Sequence, residues 1–215
     1  MDRPSEGSDA AIKLWNSDGS RSEISGNGTR CAAALVVFEG HSLDHITIST
    51  GAGPKRLRLL RTEGHSFSFE MNMGSAIIEE LQSGLVPGRD SVILNVGNPQ
   101  CAVFAADFEF DWRAMGAQLE RHPRFPNRTN VSFVRVVDGH RIEARFFERG
   151  AGETKSSGTG ATGAVAAAIA RGWVKSPVDV ETPAGVLEIR LNNAEYLLSG
   201  PAEIVASGEF FYESE

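Results

Sequence analysis

The stretch of sequence that decides the fold occurs twice in this chain. Residues 25–40 read SGNGTRCAAALVVFEG, and residues 157–172 read SGTGATGAVAAAIARG. Six positions are identical in register, among them the opening Ser-Gly-x-Gly turn and a glycine fifteen residues after the serine. Internal self-similarity of this kind indicates a duplicated structural unit. The sequence therefore predicts two similar lobes, each built around its own apolar helix.

Each Ser-Gly-x-Gly turn also predicts an anion-binding site. The first backbone N–H groups of a helix have no partner within the helix, and they lie at the positive end of its dipole. A carboxylate or a phosphate binds readily there. Because both helices are apolar on nearly all sides, we expect each to be buried in its lobe, with the two turns facing each other across one small anion.

Much of the remaining chain has the period-two, β-rich pattern that indicates strands. The predicted strands are His45–Thr50, Arg56–Arg61, Ser66–Met71, Ser91–Val96, Cys101–Ala105, Val131–Val137, Arg141–Phe147 and Leu187–Leu191. The predicted helices are Cys31–Phe38 and Thr162–Arg171, with shorter ones at Ala76–Ser83 and Arg113–Glu120. Gly40 and Gly172 stand where a helix commonly ends.

Composition limits the classes of function. The chain has 215 residues, 41% of them hydrophobic, and its formal net charge of −7 makes nucleic acid an unfavourable partner. No apolar run reaches the roughly 18 residues of a membrane span, and the polar start lacks a signal peptide's apolar core. We therefore expect a cytoplasmic protein without a membrane partner. The only cysteines, Cys31 and Cys101, cannot build a disulfide scaffold or a thiolate zinc site.

A dinucleotide-binding turn is an alternative interpretation of the second copy. Gly158-x-Gly160-x-x-Gly163 matches the nicotinamide pattern, with Glu181 about 20 residues further on. However, the nearest predicted strand ends about ten residues before the first glycine, and too few residues follow Gly172 for a doubly wound sheet. The paired anion-binding turns remain the better interpretation.

Six ordered motifs resemble those of the diaminopimelate epimerase family over nearly the whole chain. They are residues 16–20 (NSDGS), 26–31 (GNGTRC), 97–99 (GNP), 125–130 (FPNRTN), 148–154 (ERGAGET) and 158–161 (GTGA). The resemblance implies an α+β fold of two pseudo-symmetric lobes, each a barrel-like mixed sheet around a central helix, with the substrate between them. It also implies inversion of an amino acid α-carbon without pyridoxal phosphate or metal. One group removes the proton from one face, and another delivers a proton to the opposite face.

The resemblance assigns a role to each motif position. The family interconverts the LL and meso forms of diaminopimelate in lysine and cell-wall precursor synthesis. The two catalytic positions fall on Ser25 and Ser157. The residues that would bind the carboxylate at the reacting centre are Gly26, Asn27, Gly158 and Thr159. The residues that would hold the distal amino acid end are Asn16, Asn98, Asn130, Glu148 and Arg149. A guanidinium suits a bidentate carboxylate contact, and a carboxylate suits an ammonium group.

The sequence departs from the family at the positions that move protons. Both catalytic positions carry cysteine in the family and serine here. A helix N-terminus can turn a cysteine with a pKa of about 8.5 into a thiolate at neutral pH, whereas a serine hydroxyl is far less acidic and needs an adjacent base. We therefore expect slow or absent α-proton removal. Gln100 also replaces a histidine that is usual after the Gly97-Asn-Pro99 motif.

Three explanations of the serines stay open. They are engineered substitutions in a working enzyme, or natural residues of a degenerate homologue that binds a small amino acid or no longer binds anything. Alternatively, they serve another reaction, since relatives with one cysteine replaced act as epimerases or dehydratases on hydroxyproline. Lys155, two residues before Ser157, is the only candidate for activating a serine.

The resemblance also predicts how the lobes divide. We expect residues 1–62, with a strand at about 204–215, to form the first lobe and residues 63–203 to form the second. A leading segment with a Gly-x-Gly-Asn-Asp motif, found in the family, has no counterpart here, so we expect the first lobe to be incomplete. An incomplete sheet exposes an edge that a second copy can cover, which makes a homodimer a further hypothesis.

Overall fold

The computed structural model describes residues 7–15, 19, 21–22, 24–41, 44–209 and 211. Within these residues the helices are α1 (Gly26–Phe38), α2 (Trp112–Glu120) and α3 (Gly158–Ala170). The strands in chain order are β1 (Ala10–Ala11), β2 (Leu14–Trp15), β3 (Arg21–Ser22), β4 (His45–Thr50), β5 (Gly53–Glu63), β6 (Ser66–Gly74), β7 (Ile77–Glu80), β8 (Ser91–Asn95), β9 (Pro99–Phe104), β10 (Asn130–Asp138), β11 (Arg141–Glu148), β12 (Gly152–Thr154), β13 (Val178–Thr182), β14 (Gly185–Asn192) and β15 (Glu195–Glu203).

Apart from β2 and β3, which pair with each other, the described strands form one mixed sheet. Its order is β1-β4-β5-β6-β15-β14-β13-β11-β10-β9-β8-β7, with β12 on β11. The pairs β1 with β4, β9 with β10, and β11 with β13 run parallel. The other pairs in this sheet run antiparallel. The predicted α+β fold with a mixed sheet is confirmed.

The sheet wraps the two alanine-rich helices. The cluster around α1 includes Ile46, Ile48, Leu57, Phe67, Phe69, Met71 and Ala202. The cluster around α3 includes Leu94, Ile142, Phe146, Ile189 and Leu198. Small residues let the strands approach α3 closely, since a Cβ at Gly160 would lie 2.7 Å from Cδ1 of Phe146. Burial of these two apolar helices is what places their N-termini inside the molecule.

The structure corrects the predicted elements in one segment. The predicted helix Ala76–Ser83 is wrong, because Ile77–Glu80 forms β7 and pairs antiparallel with β8. Ile78 packs against the α3 cluster, while Ile77 is exposed. Cross-strand pairing and one-sided burial outweigh the local helix preference of this segment.

The last described strand was not predicted from the sequence, which placed the final strand at about 204–215. Strand β15 spans Glu195–Glu203, and residues 204–209 form no strand. Alternate residues of β15, including Tyr196, Leu198 and Ala202, are buried, which fits a strand with one face on the core. Residues 210 and 212–215 lie outside the described part of the chain.

Strand β15 contacts both helix-centred clusters. Its Ala202 belongs to the cluster around α1, together with Phe67 and Met71 of β6, and its Leu198 belongs to the cluster around α3. The boundary between residues 62 and 63 stays a prediction. None of the helices in the described ranges has the length and apolar character needed to cross a bilayer.

Candidate active site

A cavity of about 310 Å³ lies where the N-termini of α1 and α3 meet. Its lining residues are Leu14, Trp15, Arg21, Ile24, Ser25, Gly26, Asn27, Ala52, Gly97, Asn98, Asn130, Glu148, Arg149, Ser156, Ser157, Gly158 and Thr159. Every site residue predicted from the sequence, apart from Asn16, lies in this lining. Asn16 falls outside the described residues.

Ser25 is the N-cap residue of α1. Its backbone is extended, and its Oγ accepts a hydrogen bond from the N–H of Gly28 at 3.1 Å. Its carbonyl accepts from both the N–H and the hydroxyl of Thr29, at 2.9 Å and 2.7 Å. A serine suits this position because its side chain replaces a missing intrahelical acceptor. The hydroxyl therefore stands at the positive end of the helix and at the cavity wall.

Ser157 repeats this arrangement at α3. Its Oγ accepts from the N–H of Gly160 at 3.0 Å, and its carbonyl accepts from the N–H of Ala161 at 2.9 Å. Ser157 is 4% exposed, so its hydroxyl is more deeply buried than that of Ser25. In the described part of the chain, no carboxylate, imidazole or amine is hydrogen-bonded to either hydroxyl.

The two helix N-termini are in close contact at their first glycines. A Cβ at Gly26 would lie 3.5 Å from Cα of Gly158, and a Cβ at Gly158 would lie 3.4 Å from Cα of Gly26. Among the described residues, the backbone N–H groups of Gly26, Asn27, Gly158 and Thr159 have no acceptor. Four free donors at the positive ends of two helix dipoles have the chemistry that an anion requires.

Side-chain hydrogen bonds join the two turns to each other. Nδ2 of Asn27 donates to the carbonyl of Ser156 at 3.2 Å, which links α1 to the residue before the α3 cap. Oδ1 of Asn27 accepts from Nη2 of Arg30 at 2.8 Å. Asn27 therefore contributes its backbone N–H to the cavity while its side chain ties one lobe to the other.

A second set of amide side chains connects α3 to the loop before β9. Nδ2 of Asn98 donates to Oγ1 of Thr159 at 3.4 Å, and Oδ1 of Asn98 accepts from Nε2 of Gln100 at 2.7 Å. Gln100 is 1% exposed, and within the described ranges its Oε1 has no hydrogen-bond partner. Gln100 therefore orients Asn98 without a group that can titrate.

Asn130, Glu148 and Arg149 form a further group of lining residues, which we call the charged end of the cavity. Oδ1 of Asn130 accepts from the N–H of Arg149 at 3.0 Å, and Nδ2 of Asn130 donates to the carbonyl of Pro99 at 3.0 Å. The hydroxyl of Thr154 donates to Oε1 of Glu148 at 2.7 Å. Glu148 and Arg149 thus place one negative and one positive side chain on the cavity wall, as an α-amino acid group requires.

Glu120 supports this charged end, and the sequence analysis missed it. Its side chain is 2% exposed and forms ion pairs with Arg121 and Arg128. Oε1 of Glu120 also accepts from the N–H of Gly150, the residue after Arg149, at 3.2 Å. Its position in α2 carries no motif, so only the fold reveals that it holds the turn next to Arg149.

Three further lining residues stand in none of the sequence motifs. Leu14, Trp15 and Arg21 belong to the β2–β3 pair, and Trp15 is 62% exposed. Lys155, by contrast, is exposed and is not a lining residue. Within the described residues, no group of three or more His, Cys, Asp or Glu side chains is placed to hold a metal ion.

Comparison with known proteins shows which family and which folds the chain resembles. The family model for diaminopimelate epimerase matches residues 92–205. The chain is 35% identical over 229 residues to a diaminopimelate epimerase of Pelotomaculum thermopropionicum, covering 98% of this chain and 82% of the relative. It is 36% identical over 219 residues to that of Aromatoleum aromaticum, covering 94% and 78%. The fold is similar to a hydroxyproline epimerase of Agrobacterium vitis solved with trans-4-hydroxy-L-proline, with a TM-score of 0.71, 15% identity, and coverage of 94% and 71%.

Proposed function

The chain belongs to the diaminopimelate epimerase family, and we propose from this premise that it is a diaminopimelate-binding, epimerase-like protein. Its cavity binds diaminopimelate between the two helix N-termini. With Ser25 and Ser157 at the two catalytic positions, inversion of the α-carbon is slow or absent. The observation that carries the proposal is the pair of matching serine caps over four free amides.

The α-carboxylate at the reacting centre binds the paired turns in this proposal. Gly26, Asn27, Gly158 and Thr159 supply backbone N–H donors, which a carboxylate accepts in both orientations of the α-carbon. Gly26 and Gly158 carry no side chain between the helices, which lets the two N-termini approach each other and brings the four donors together. The α-carbon then lies with one face toward Ser25 and the other toward Ser157.

The distal amino acid group binds the charged end. Arg149 receives the distal carboxylate, and Glu148 accepts from the distal ammonium. Asn98 and Asn130, already fixed by their own hydrogen bonds, complete this end. A role for Asn16 in the same group belongs to the proposal and rests on the motif alone.

The serines limit the chemistry. In the proposed reaction a base removes the α-proton from one face, and an acid returns a proton to the other. A hydroxyl that accepts a helix N–H is made more acidic than a free serine, but it remains much weaker than a thiol as an acid. In the part of the chain that the structure describes, no base is hydrogen-bonded to either hydroxyl. Lys155 does not fill that role in this proposal, so Lys155→Ala leaves any turnover unchanged.

The finer biological assignment follows from the family. We propose interconversion of LL- and meso-diaminopimelate, without pyridoxal phosphate or metal, in lysine biosynthesis in the cytoplasm. A homodimer remains part of the proposal, with the edge strands β1 and β7 as surfaces for a second copy. Sedimentation velocity would show a single species of twice the chain mass.

Calorimetric titration with LL- and meso-diaminopimelate tests the binding step. We expect saturable binding by the wild type and a loss of about tenfold or more in Arg149→Gln, because a charge-assisted bidentate contact disappears. Arg113→Gln is the matched control, since Arg113 is exposed, lies on α2 and pairs with Glu153. Absence of binding by the wild type, or equal loss in both variants, would contradict the proposal.

A non-catalytic amino acid-binding protein is the second candidate function. The absence, among the described residues, of any base hydrogen-bonded to Ser25 or Ser157 favours it. This candidate predicts ligand stabilisation in thermal unfolding without any exchange of the α-proton. Measurable exchange at the α-carbon by the wild type would exclude this second candidate.

A further inference from the structure

Arg30 is a buried charged residue beside the reacting centre to which no role has been given. It lies in α1 one turn after Gly26 and is 3% exposed. Its Nε donates to the carbonyl of Pro201 at 3.2 Å, and its Nη2 donates to Oδ1 of Asn27 at 2.8 Å. Its Nη1 is buried and has no hydrogen-bond partner among the described residues. No carboxylate among the described residues contributes to its electrostatic environment.

A guanidinium in this setting needs an explanation. Burial lowers the pKa of Arg30, but a guanidinium stays protonated at neutral pH. A buried charge without a counter-charge destabilises a fold. The structure nevertheless leaves room for it, because a Cβ at Gly200 would lie 3.2 Å from Cζ of Arg30 and 2.7 Å from Cδ2 of Leu187. Glycine at position 200 is therefore the residue that admits the guanidinium.

The unpaired nitrogen lies close to the junction of the two helix N-termini. A Cβ at Gly26 would lie 3.9 Å from Nη1 of Arg30, and 3.5 Å from Cα of Gly158. Asn27, which Arg30 holds by Oδ1, donates to the carbonyl of Ser156 in the other turn at 3.2 Å. Arg30 thus acts on both turns, directly through its charge and indirectly through Asn27.

We propose that Arg30 is a positioning residue for the carboxylate at the reacting centre. Its hydrogen bond to Asn27 fixes the spacing between the two turns. Its unpaired Nη1 lies beside Gly26, one of the four residues with a free amide. The counter-anion that Arg30 lacks is the carboxylate of the ligand. This inference rests on the proposed function, because both use the same anion-binding centre.

The test compares the wild type with Arg30→Lys and Arg30→Gln. Lysine keeps the charge but cannot donate to Pro201 and Asn27 in the same planar geometry, whereas glutamine removes the charge. Arg58→Lys is the matched control, because Arg58 is half-exposed on β5 and pairs with Glu70 at 3.0 Å. For each protein, calorimetry gives the Kd for diaminopimelate, and thermal unfolding shows that the variant is folded.

A second measurement needs no ligand. In ¹⁵N-labelled protein, the amide resonances of Gly158 and Thr159 report on the turn across the cavity from Arg30. If Arg30 positions that turn through Asn27 and Ser156, these resonances move in both Arg30 variants. A role confined to packing within α1 leaves them unchanged.

We expect Arg30→Lys to raise the Kd about tenfold and Arg30→Gln to raise it on the order of 100-fold, with shifted Gly158 and Thr159 resonances and no change in Arg58→Lys. Folded variants with the wild-type Kd and unmoved resonances would overturn the inference while the proposed function stands. Should Arg30→Gln fail to fold, Arg30→Lys decides by the same criteria. If the wild type does not bind diaminopimelate, the proposed function fails and the carboxylate role fails with it, while the ligand-free resonances still decide whether Arg30 sets the turn spacing.

Discussion

The N-termini of α1 and α3 are alike where they meet the cavity and differ one turn further on. Ser25 has φ and ψ of −135° and 119°, and Ser157 has −138° and 122°. In register, however, Arg30 in α1 corresponds to Thr162 in α3. Arg30 brings an unpaired charge, whereas the hydroxyl of Thr162 donates to the carbonyl of Gly158 within its own helix. The two copies therefore have the same serine cap and the same free amides. They differ at the residue one turn further on, which is Arg30 in α1 and Thr162 in α3.

The two helices also differ in how tightly they are enclosed. Ten of the thirteen residues of α3 are buried, compared with seven of the thirteen of α1. The strands around α3 press against its glycines, and the surroundings of α1 leave more space. The same cap geometry is therefore surrounded by tight packing at α3 and by looser packing with a buried charge at α1.

The largest difference is expected at the fourth residue of each Ser-Gly-x-Gly turn, Gly28 and Gly160. A Cβ at Gly160 would lie 2.7 Å from Cδ1 of Phe146, which is 1% exposed, whereas a Cβ at Gly28 would meet Cδ2 of Leu14 at 3.1 Å, the flexible end of a half-buried side chain. Gly160→Ala should lower the free energy of unfolding by roughly 2–3 kcal/mol, through overpacking. Gly28→Ala should change it by less than about 1 kcal/mol, since helix propensity offsets the contact. Urea denaturation measures both, and equal effects would contradict the difference in enclosure.

The serine caps provide a smaller contrast. Ser157→Ala leaves the buried N–H of Gly160 without an acceptor, and Ser25→Ala does the same to the less buried N–H of Gly28. We expect losses in the free energy of unfolding of about 2 kcal/mol and about 1 kcal/mol, respectively. Urea denaturation of the two single variants and the double variant checks the order and the additivity. A larger loss at Ser25 would reverse our account of the two supports.

The two cysteines differ in burial, and their reactivity measures that difference. Cys31 lies exposed on α1, whereas Cys101 is buried in β9 beside α2, where burial raises the pKa of its thiol to about 12. A thiolate-selective reagent at pH 8 should modify Cys31 rapidly and Cys101 only on unfolding. Cys31→Ala should abolish the rapid phase alone. Simultaneous modification of both thiols in the native protein would be inconsistent with this arrangement.

The smallest effect is the pH dependence that Cys101 contributes. Its folded pKa lies above its unfolded value, so its contribution to stability is complete below about pH 8.5 and is lost as the pH rises toward about 12. The free energy of unfolding of the wild type should therefore fall more between pH 8 and pH 10 than that of Cys101→Ala. Parallel curves for the two proteins would show that the folded thiol titrates normally.

Secondary structure was predicted well where hydrophobic residues recur periodically. It was predicted poorly where pairing between distant strands decides whether a segment forms a helix or a strand. Both alanine-rich helices form, and they start earlier than predicted, at the glycines of the duplicated turns. The segment Ala76–Ser83 was wrong because pairing with β8 is invisible in a single stretch of sequence. Strand β15 was missed because Gly200 and Pro201 interrupt its pattern, although both contact Arg30 in the folded chain.

The candidate site could be predicted where residues stand in motifs. The predicted site residues that the structure describes, from Ser25 to Thr159, line one cavity, but their chemical roles stay predictions. Glu120 and the β2–β3 residue Trp15 could not be found in this way, since each reaches the site only through the packing of a separate element. The proposed role of Arg30 could not be predicted for the same reason, because its neighbours Gly200 and Pro201 lie 170 or more residues further along the chain.

Deuterium uptake at the α-carbon of LL-diaminopimelate in D₂O tests the central claim most directly. We expect the wild type to exchange no faster than buffer, and Ser25→Cys/Ser157→Cys to exchange on the order of 10²–10⁴-fold faster. The single cysteine variants are the matched controls for each face. Rapid uptake by the wild type, or a double variant that binds diaminopimelate without accelerating exchange, would contradict the claim that the two serines alone hold back an otherwise competent site.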